Sequence, residues 1–229
     1  MMLNSTVLKQ IESGLVVSCQ SLPGSAMDRT DIVVAMAQAA VAGGACALRV
    51  EGVDNVRAVT AVVTVPVIGI VKRDLTDSPV RITPWIQDVL DLGGAGAAII
   101  AFDATLRTRP ESCSRLLGAC RTAGCIAMAD CATEADAVSA WSLGCDLIGT
   151  TLSGYTAETA TDSDNPDFAL IARLAKLGCR VVAEGRIRTP QQAALAMRQG
   201  AFCVTVGSAI TRIEHITEWF THAISKEHL

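Results

Sequence analysis

The 229-residue sequence predicts a single (β/α)₈ TIM barrel, on three observations. Eight short apolar runs recur along the chain, helical patterns fill the intervals, and no second composition regime marks a further domain. Half of the residues are hydrophobic but only 3% are aromatic, so the core must be built from Ala, Val, Ile and Leu. That suits a parallel sheet buried on both faces, whose strands read as continuous apolar runs. One domain spanning residues 1–229 is expected.

The predicted strands are Gly14–Ser18, Cys46–Val50, Val67–Val71, Ala97–Ala101, Cys125–Ala129, Cys145–Gly149, Cys179–Ala183 and Phe202–Val206. Successive starts lie roughly 20 to 35 residues apart, the size of one βα unit. Asp31–Gly43 is an Ala-rich helix ending on Gly-Gly, a stop signal. Thr83-Pro84, Asn165-Pro166 and Thr189-Pro190 each read as an N-cap with proline at the first helical position. Arg109-Pro110 opens another helix without a good cap, and Thr133-x-x-Asp136 resembles a capping box. Gly44, Gly96, Gly124, Gly144, Gly178 and Gly200 each close a helix before a strand. An open sheet with extra edge strands is the competing architecture. A dinucleotide fold is disfavoured, because no G-x-G-x-x-G follows the first strand and Gly93-Gly94-Ala95-Gly96 precedes one.

Charge and cysteine usage narrow the partners. The formal charge is −4 with Lys and Arg scattered, which leaves no footprint for nucleic acid. No apolar run reaches the ~18 residues of a membrane span. The start, Met1-Met2-Leu3-Asn4-Ser5, has no basic segment before an apolar one, so a cytoplasmic location is expected. Nine cysteines, an odd number without a C-x-x-C, read as reduced, buried packing residues. Cys19 and Cys131 flank candidate site positions and are the two candidates for lining a pocket.

Barrel sites are built just past the carboxyl ends of the strands. In order, those positions hold Ser18-Cys19-Gln20, Arg49, Lys72-Arg73-Asp74, Asp103, Asp130, Thr150-Thr151 with Ser153-Gly154-Tyr155, Glu184-Gly185-Arg186, and Gly207-Ser208. Barrels commonly bind phosphate between the loops after strands seven and eight. Gly185 and Gly207 would let backbone N–H groups approach it, Ser208 adds a hydroxyl donor, and Arg212 follows one helical turn on. The expected barrel is therefore of the phosphate-binding type. Lys72 follows VIGIV in an aliphatic setting, where desolvation would lower its pKa into a range useful for proton transfer. Glu184 stands across the barrel from it, a plausible acid/base partner on the far side of a bound sugar. The residues alone leave open a structural salt bridge between the two, and an all-carboxylate metal site from Asp103, Asp130 and Glu184. His215, His222 and His228 all fall in the C-terminal segment, so neither a His-based triad nor a His-rich zinc site can form at the strand ends.

The blocks VSCQSLPG (17–24), GIVKRD (69–74), SPVRITP (78–84), LIGTTLSGYT (147–156), AEGRIRTP (183–190) and VTVGSAITR (204–212) closely resemble the bacterial N-acetylmannosamine-6-phosphate 2-epimerase family, nearly end to end and in order. The resemblance implies an enzyme interconverting N-acetylmannosamine 6-phosphate and N-acetylglucosamine 6-phosphate at carbon 2, in amino-sugar catabolism. On it, Lys72 moves the proton and Glu184 works with it or orients sugar hydroxyls. Gln20, Arg49 and Asp130 fall on positions that contact the sugar and its acetamido group or support the lysine. Arg212, Gly185, Gly207 and Ser208 fall on the phosphate end. It further implies a homodimer whose ligand is a small amino-sugar phosphate, with no metal or other cofactor. One departure stands out: Arg49-Val50-Glu51-Gly52 replaces the R-A-N-G of many members, which keeps the arginine and leaves the contacts of Glu51 undefined.

Three alternatives share this framework. A Schiff-base aldolase or lyase would use Lys72 as nucleophile. A related isomerase would act on another sugar phosphate. A non-catalytic sensor would keep the barrel without the chemistry.

Overall fold

Eight parallel strands pair in sequence order and the last returns to the first, closing the barrel in this computed structural model, which describes residues 2–226. The strands are β1 (Leu15–Cys19), β2 (Ala47–Glu51), β3 (Val67–Ile70), β4 (Ile99–Asp103), β5 (Ile126–Asp130), β6 (Leu147–Gly149), β7 (Val181–Ala183) and β8 (Cys203–Val206). Helix α1 (Met2–Ile11) precedes them, and α2 (Thr30–Ala42), α3 (Val53–Thr60), α4 (Ile86–Gly94), α5 (Cys113–Thr122), α6 (Glu134–Leu143), α7 (Phe168–Lys176) and α8 (Pro190–Arg198) connect them. A four-residue helix α9 (Ser208–Thr211) and α10 (Ile213–Lys226) follow β8. The open-sheet alternative is excluded by the β1–β8 pairing.

Every expected strand forms, and most begin one or two residues later than their apolar run. The cause is a repeated helix ending. Each of the six closing glycines adopts a positive φ, and the residue after it donates its N–H back to the helix: Ala45 to Ala40, Ala97 to Leu92, Cys125 to Cys120, Cys145 to Ala140, Cys179 to Leu174 and Ala201 to Ala196. The first residue of four runs, Ala97, Cys125, Cys145 and Cys179, therefore ends a helix instead of starting a strand.

Two helix starts stand as read. Thr189 and Gln192 form a reciprocal capping box ahead of Pro190, and Thr133 and Asp136 form another. Three X-Pro starts move. Helix α5 begins at Cys113 on the Ser112 cap, and α7 begins at Phe168 on the Asp167 cap. In both, a hydroxyl or carboxylate one or two residues after the proline, which accepts the N–H three residues further on, wins over the proline itself. Thr83 is no cap at all. It sits at φ 46°, donates its hydroxyl to the Ala101 carbonyl and accepts from the Val71 N–H. The segment SPVRITP thus returns antiparallel along the end of β3, with Lys72 paired to Ile82.

Side chains along a barrel strand alternate between the interior and the helix layer. The interior layer holds Val16, Ala47, Ile68, Ile70, Ile99, Ala101, Ile126, Met128, Leu147, Val182 and Cys203, with Ile11 of α1 packed beneath them. The other face, including Val17, Leu48, Val50, Ile100, Phe102, Ala127, Ala129, Ile148 and Val204, packs under the helices. Cys19 and Cys131 belong to this outer layer, so neither lines the pocket. All nine cysteines are free thiols. Among the described residues no helix is long and apolar enough to cross a membrane. His215 and His222 lie on α10, while His228 lies outside the described residues.

Candidate active site

Extending the interior alternation by one step up each strand places a polar group at nearly every strand end. Ser18, Arg49, Asp103, Asp130 and Thr205 point inward from β1, β2, β4, β5 and β8, and Lys72, Thr151 and Glu184 stand just beyond β3, β6 and β7. Ser18, Arg49, Lys72, Asp103, Thr151, Glu184 and Thr205 all line one cavity of about 540 Å³ at the carboxyl end of the barrel. Gln20, Gly185, Gly207, Ser208 and Arg212 line it too. The expected site residues therefore converge, with one difference in depth: Asp130 is fully buried beneath the floor.

Arg49 is the centre of that floor. Its guanidinium, 1% exposed, donates twice to Asp130 at 3.1 and 2.7 Å and once to Glu184 Oε2 at 3.1 Å. The Thr151 hydroxyl stands 2.7 Å from Asp130 Oδ1 and 3.1 Å from the same Glu184 oxygen. Gly149 makes this closeness possible, since a Cβ there would stand 2.9 Å from the Thr151 hydroxyl and 3.0 Å from Asp130. Burial pushes the Glu184 carboxyl above its ordinary range, against the pull of the Arg49 charge.

The Lys72 amine donates to the side-chain carbonyl of Gln20 at 2.6 Å. Gln20 in turn donates its amide N–H to Ser18 at 2.6 Å, which fixes which end of the amide meets the lysine. Desolvation first, then the positive charges of Arg49 and Arg212, lower the Lys72 pKa to about 8. Glu51 accepts from the backbone N–H of Lys72 at 3.3 Å, so the residue that departs from the family pattern braces the lysine's main chain. The salt bridge between Lys72 and Glu184 that the sequence left open does not form: the carboxylate pairs with Arg49 and the amine with Gln20. The carboxylate metal site does not form either, because Asp103 is taken by Arg107 at 2.6 Å and the other two acids by Arg49.

Also in the cavity lining, Arg212 donates to the backbone carbonyl of Gln20 at 3.3 Å and has no ion pair among the described residues. It stands beside Gly207 and Ser208, at the join of α9 and α10. Gly185, facing them, adopts φ 108°, a conformation that leaves its backbone open to the cavity and that L side chains rarely take.

Several lining residues carried no role in the sequence reading. Thr151 and Thr205 are legible by counting in twos along their strands. Arg81, Arg107, Arg188, His215 and Trp219 are not, because loops and α10 bring them in. Arg188 lies 4.7 Å over the Trp219 ring, tying α10 to the β7 loop. Seven Lys and Arg side chains line the cavity against two acids, Asp103 and Glu184. A net-positive cleft in a chain of formal charge −4 favours an anionic ligand.

A family model described as "Putative N-acetylmannosamine-6-phosphate epimerase" matches residues 33–226. The chain belongs to that family. It is 58% identical over 211 residues to a Klebsiella pneumoniae protein named "Putative N-acetylmannosamine-6-phosphate 2-epimerase", covering 92% of this chain and 89% of the relative. A Yersinia pseudotuberculosis protein of the same name is 56% identical over 217 residues, covering 95% and 92%. The solved N-acetylmannosamine-6-phosphate 2-epimerase of Clostridium perfringens superposes with a TM-score of 0.91 at 39% identity, over 94% of this chain and 95% of that one. A thiamine phosphate pyrophosphorylase from Pyrococcus furiosus, at 16% identity and a TM-score of 0.60, shares the fold alone.

Proposed function

We propose that this protein interconverts N-acetylmannosamine 6-phosphate and N-acetylglucosamine 6-phosphate by removing and returning the proton on carbon 2. The observation that carries the reading is that Lys72 and Glu184 face one cavity whose lining also holds Arg212 without an ionic partner. Family membership supports the same substrate pair.

Carbon 2 becomes acidic when the sugar ring opens, because its hydrogen then lies beside an aldehyde. Neutral Lys72 takes that proton, and the resulting ammonium stabilises the enolate beside it. Glu184 returns a proton to the opposite face, which inverts the centre. The reactive form therefore carries one proton between the two groups. Arg212, Ser208 and the backbone at Gly185 and Gly207 hold the phosphate, which fixes carbon 2 between base and acid. Gln20 orients the amine, while Arg49 and Asp130 hold the carboxyl in place. No step calls for a metal or other cofactor. Residues 1–229 act as one domain in the cytoplasm, without nucleic-acid or membrane partners. The exposed apolar side of α10, with Ile213, Phe220 and Ile224, supports a homodimer, which sedimentation velocity tests.

Proton NMR of N-acetylmannosamine 6-phosphate incubated with the protein in heavy water tests the reading. The expected result is N-acetylglucosamine 6-phosphate carrying deuterium at carbon 2. A covalent adduct trapped by borohydride, or no exchange at all, overturns it in favour of a Schiff-base lyase or a sensor respectively.

A further inference from the structure

The Thr151 hydroxyl touches two carboxyl groups and has one proton to give. It lies 2.7 Å from Asp130 Oδ1 and 3.1 Å from Glu184 Oε2. Asp130 has the stronger claim: it is nearer, fully buried, and accepts two N–H bonds from the Arg49 guanidinium. A hydroxyl that donates to Asp130 turns a lone pair toward Glu184. Two facing oxygens at 3.1 Å, both without a proton, repel each other; the contact becomes a hydrogen bond when Glu184 carries one.

Charge counting points the same way. Arg49 from β2 supplies one positive charge to the two acids, Asp130 from β5 and Glu184 beyond β7. With both ionised, a buried cluster would hold a net negative charge, which is costly. One added proton makes it neutral. The remaining titratable groups facing Glu184 are Lys72, whose amine pairs with Gln20, and the buried Cys203 thiol of β8. The pKa of Glu184 is raised by its burial.

We propose that Thr151 is a positioning residue: it gives its only proton to Asp130, offers a lone pair to Glu184 Oε2, and so favours a proton on the carboxyl that faces Lys72. This deepens the epimerase reading and rests on it for the proton's use. Lys72 is held below its ordinary range and Glu184 above it, so their proton affinities draw together. The singly protonated pair then samples the form with a basic amine and an acidic carboxyl. Burial is the first cause of the carboxyl's rise, and a Thr151 lone pair facing Oε2 adds to it.

The test is carbon-13 NMR titration of the protein labelled at its glutamate side-chain carboxyls, with the Glu184 signal assigned by its loss in Glu184→Gln. Wild-type Glu184 is expected to titrate above the ordinary ~4.3. Thr151→Ser, which keeps the hydroxyl, is expected to retain that midpoint. Thr151→Val, which keeps the shape and loses the acceptor, is expected to lower it by about one pH unit. The acid limb of the kcat/KM profile should move with it. A midpoint that rises in Thr151→Val means that the hydroxyl donates to Glu184, and overturns the proposal, as does an unchanged one. Should Thr151→Val fail to fold, a wild-type midpoint at or below ~4.3 overturns it alone. The titration needs no turnover, so an inactive wild-type protein with a raised Glu184 midpoint would sink the epimerase reading and leave the assignment of the hydroxyl proton standing.

Discussion

Gln20 joins Lys72 to Arg212: its side-chain oxygen accepts from the Lys72 amine at 2.6 Å, and its backbone oxygen accepts from Arg212 at 3.3 Å. A neutral acceptor orients the amine without adding the negative charge that would hold it protonated. The lysine stays near 8 because desolvation and the charges of Arg49 and Arg212 outweigh the opposing pull of Glu51 and Glu184.

That arrangement fixes the sign of a pH dependence. In the proposed mechanism the Lys72–Glu184 pair needs one proton, and Lys72 gives it up as pH rises through about 8, so kcat/KM should fall on the alkaline side there. Gln20→Glu places a carboxylate against the amine, which favours the charged form and raises its pKa. The alkaline limb should move to higher pH; a limb that stays in place would remove Lys72 as its source.

Lys72→Ala takes away the group proposed to move the proton and leaves the proposed phosphate contacts in place. Turnover should fall about 10²–10⁴-fold. Calorimetric titration with a non-reacting sugar phosphate should show affinity largely retained. Activity near that of the wild type would refute the role.

Arg212→Ala removes a cavity guanidinium that has no ionic partner and a single backbone hydrogen bond. A charge-assisted contact of this kind is worth about 1.5–3 kcal/mol, so KM should rise about 10- to 150-fold with kcat less affected. An unchanged KM would place the phosphate elsewhere.

Asp130→Ala leaves Arg49 buried and half-paired. Arg49 is 1% exposed and its partner is fully buried, so the loss should cost about 3–5 kcal/mol in urea unfolding. A cost below about 1 kcal/mol, the range of exposed pairs, would mean that water reaches the floor of the barrel.

Local grammar made much of the barrel legible. Glycine at a left-handed helix end followed by an apolar run is a signal written in adjacent residues, and it recurs six times. Proline proved a weaker marker than a capping side chain. At Thr83 the reading failed because that hydroxyl bonds to Ala101 and Val71, partners 18 and 12 residues away, which no local pattern announces. The failure matters, since the segment read as a helix start is the one that braces Lys72.

The sequence by itself determined the order of strands and helices, the face each strand residue takes, and which strand ends carry polar groups. These follow from a two-residue alternation and from helix-end chemistry, both local. Only the tertiary structure decided who pairs with whom: that Arg49 serves Asp130 and Glu184 together, that Lys72 meets Gln20 and not a carboxylate, that Glu51 holds a backbone N–H, and that α10 lends Trp219 to the cavity wall. Closing the barrel brings together residues up to about two hundred positions apart, and the energies that choose among their partners depend on distances and burial that no stretch of chain contains.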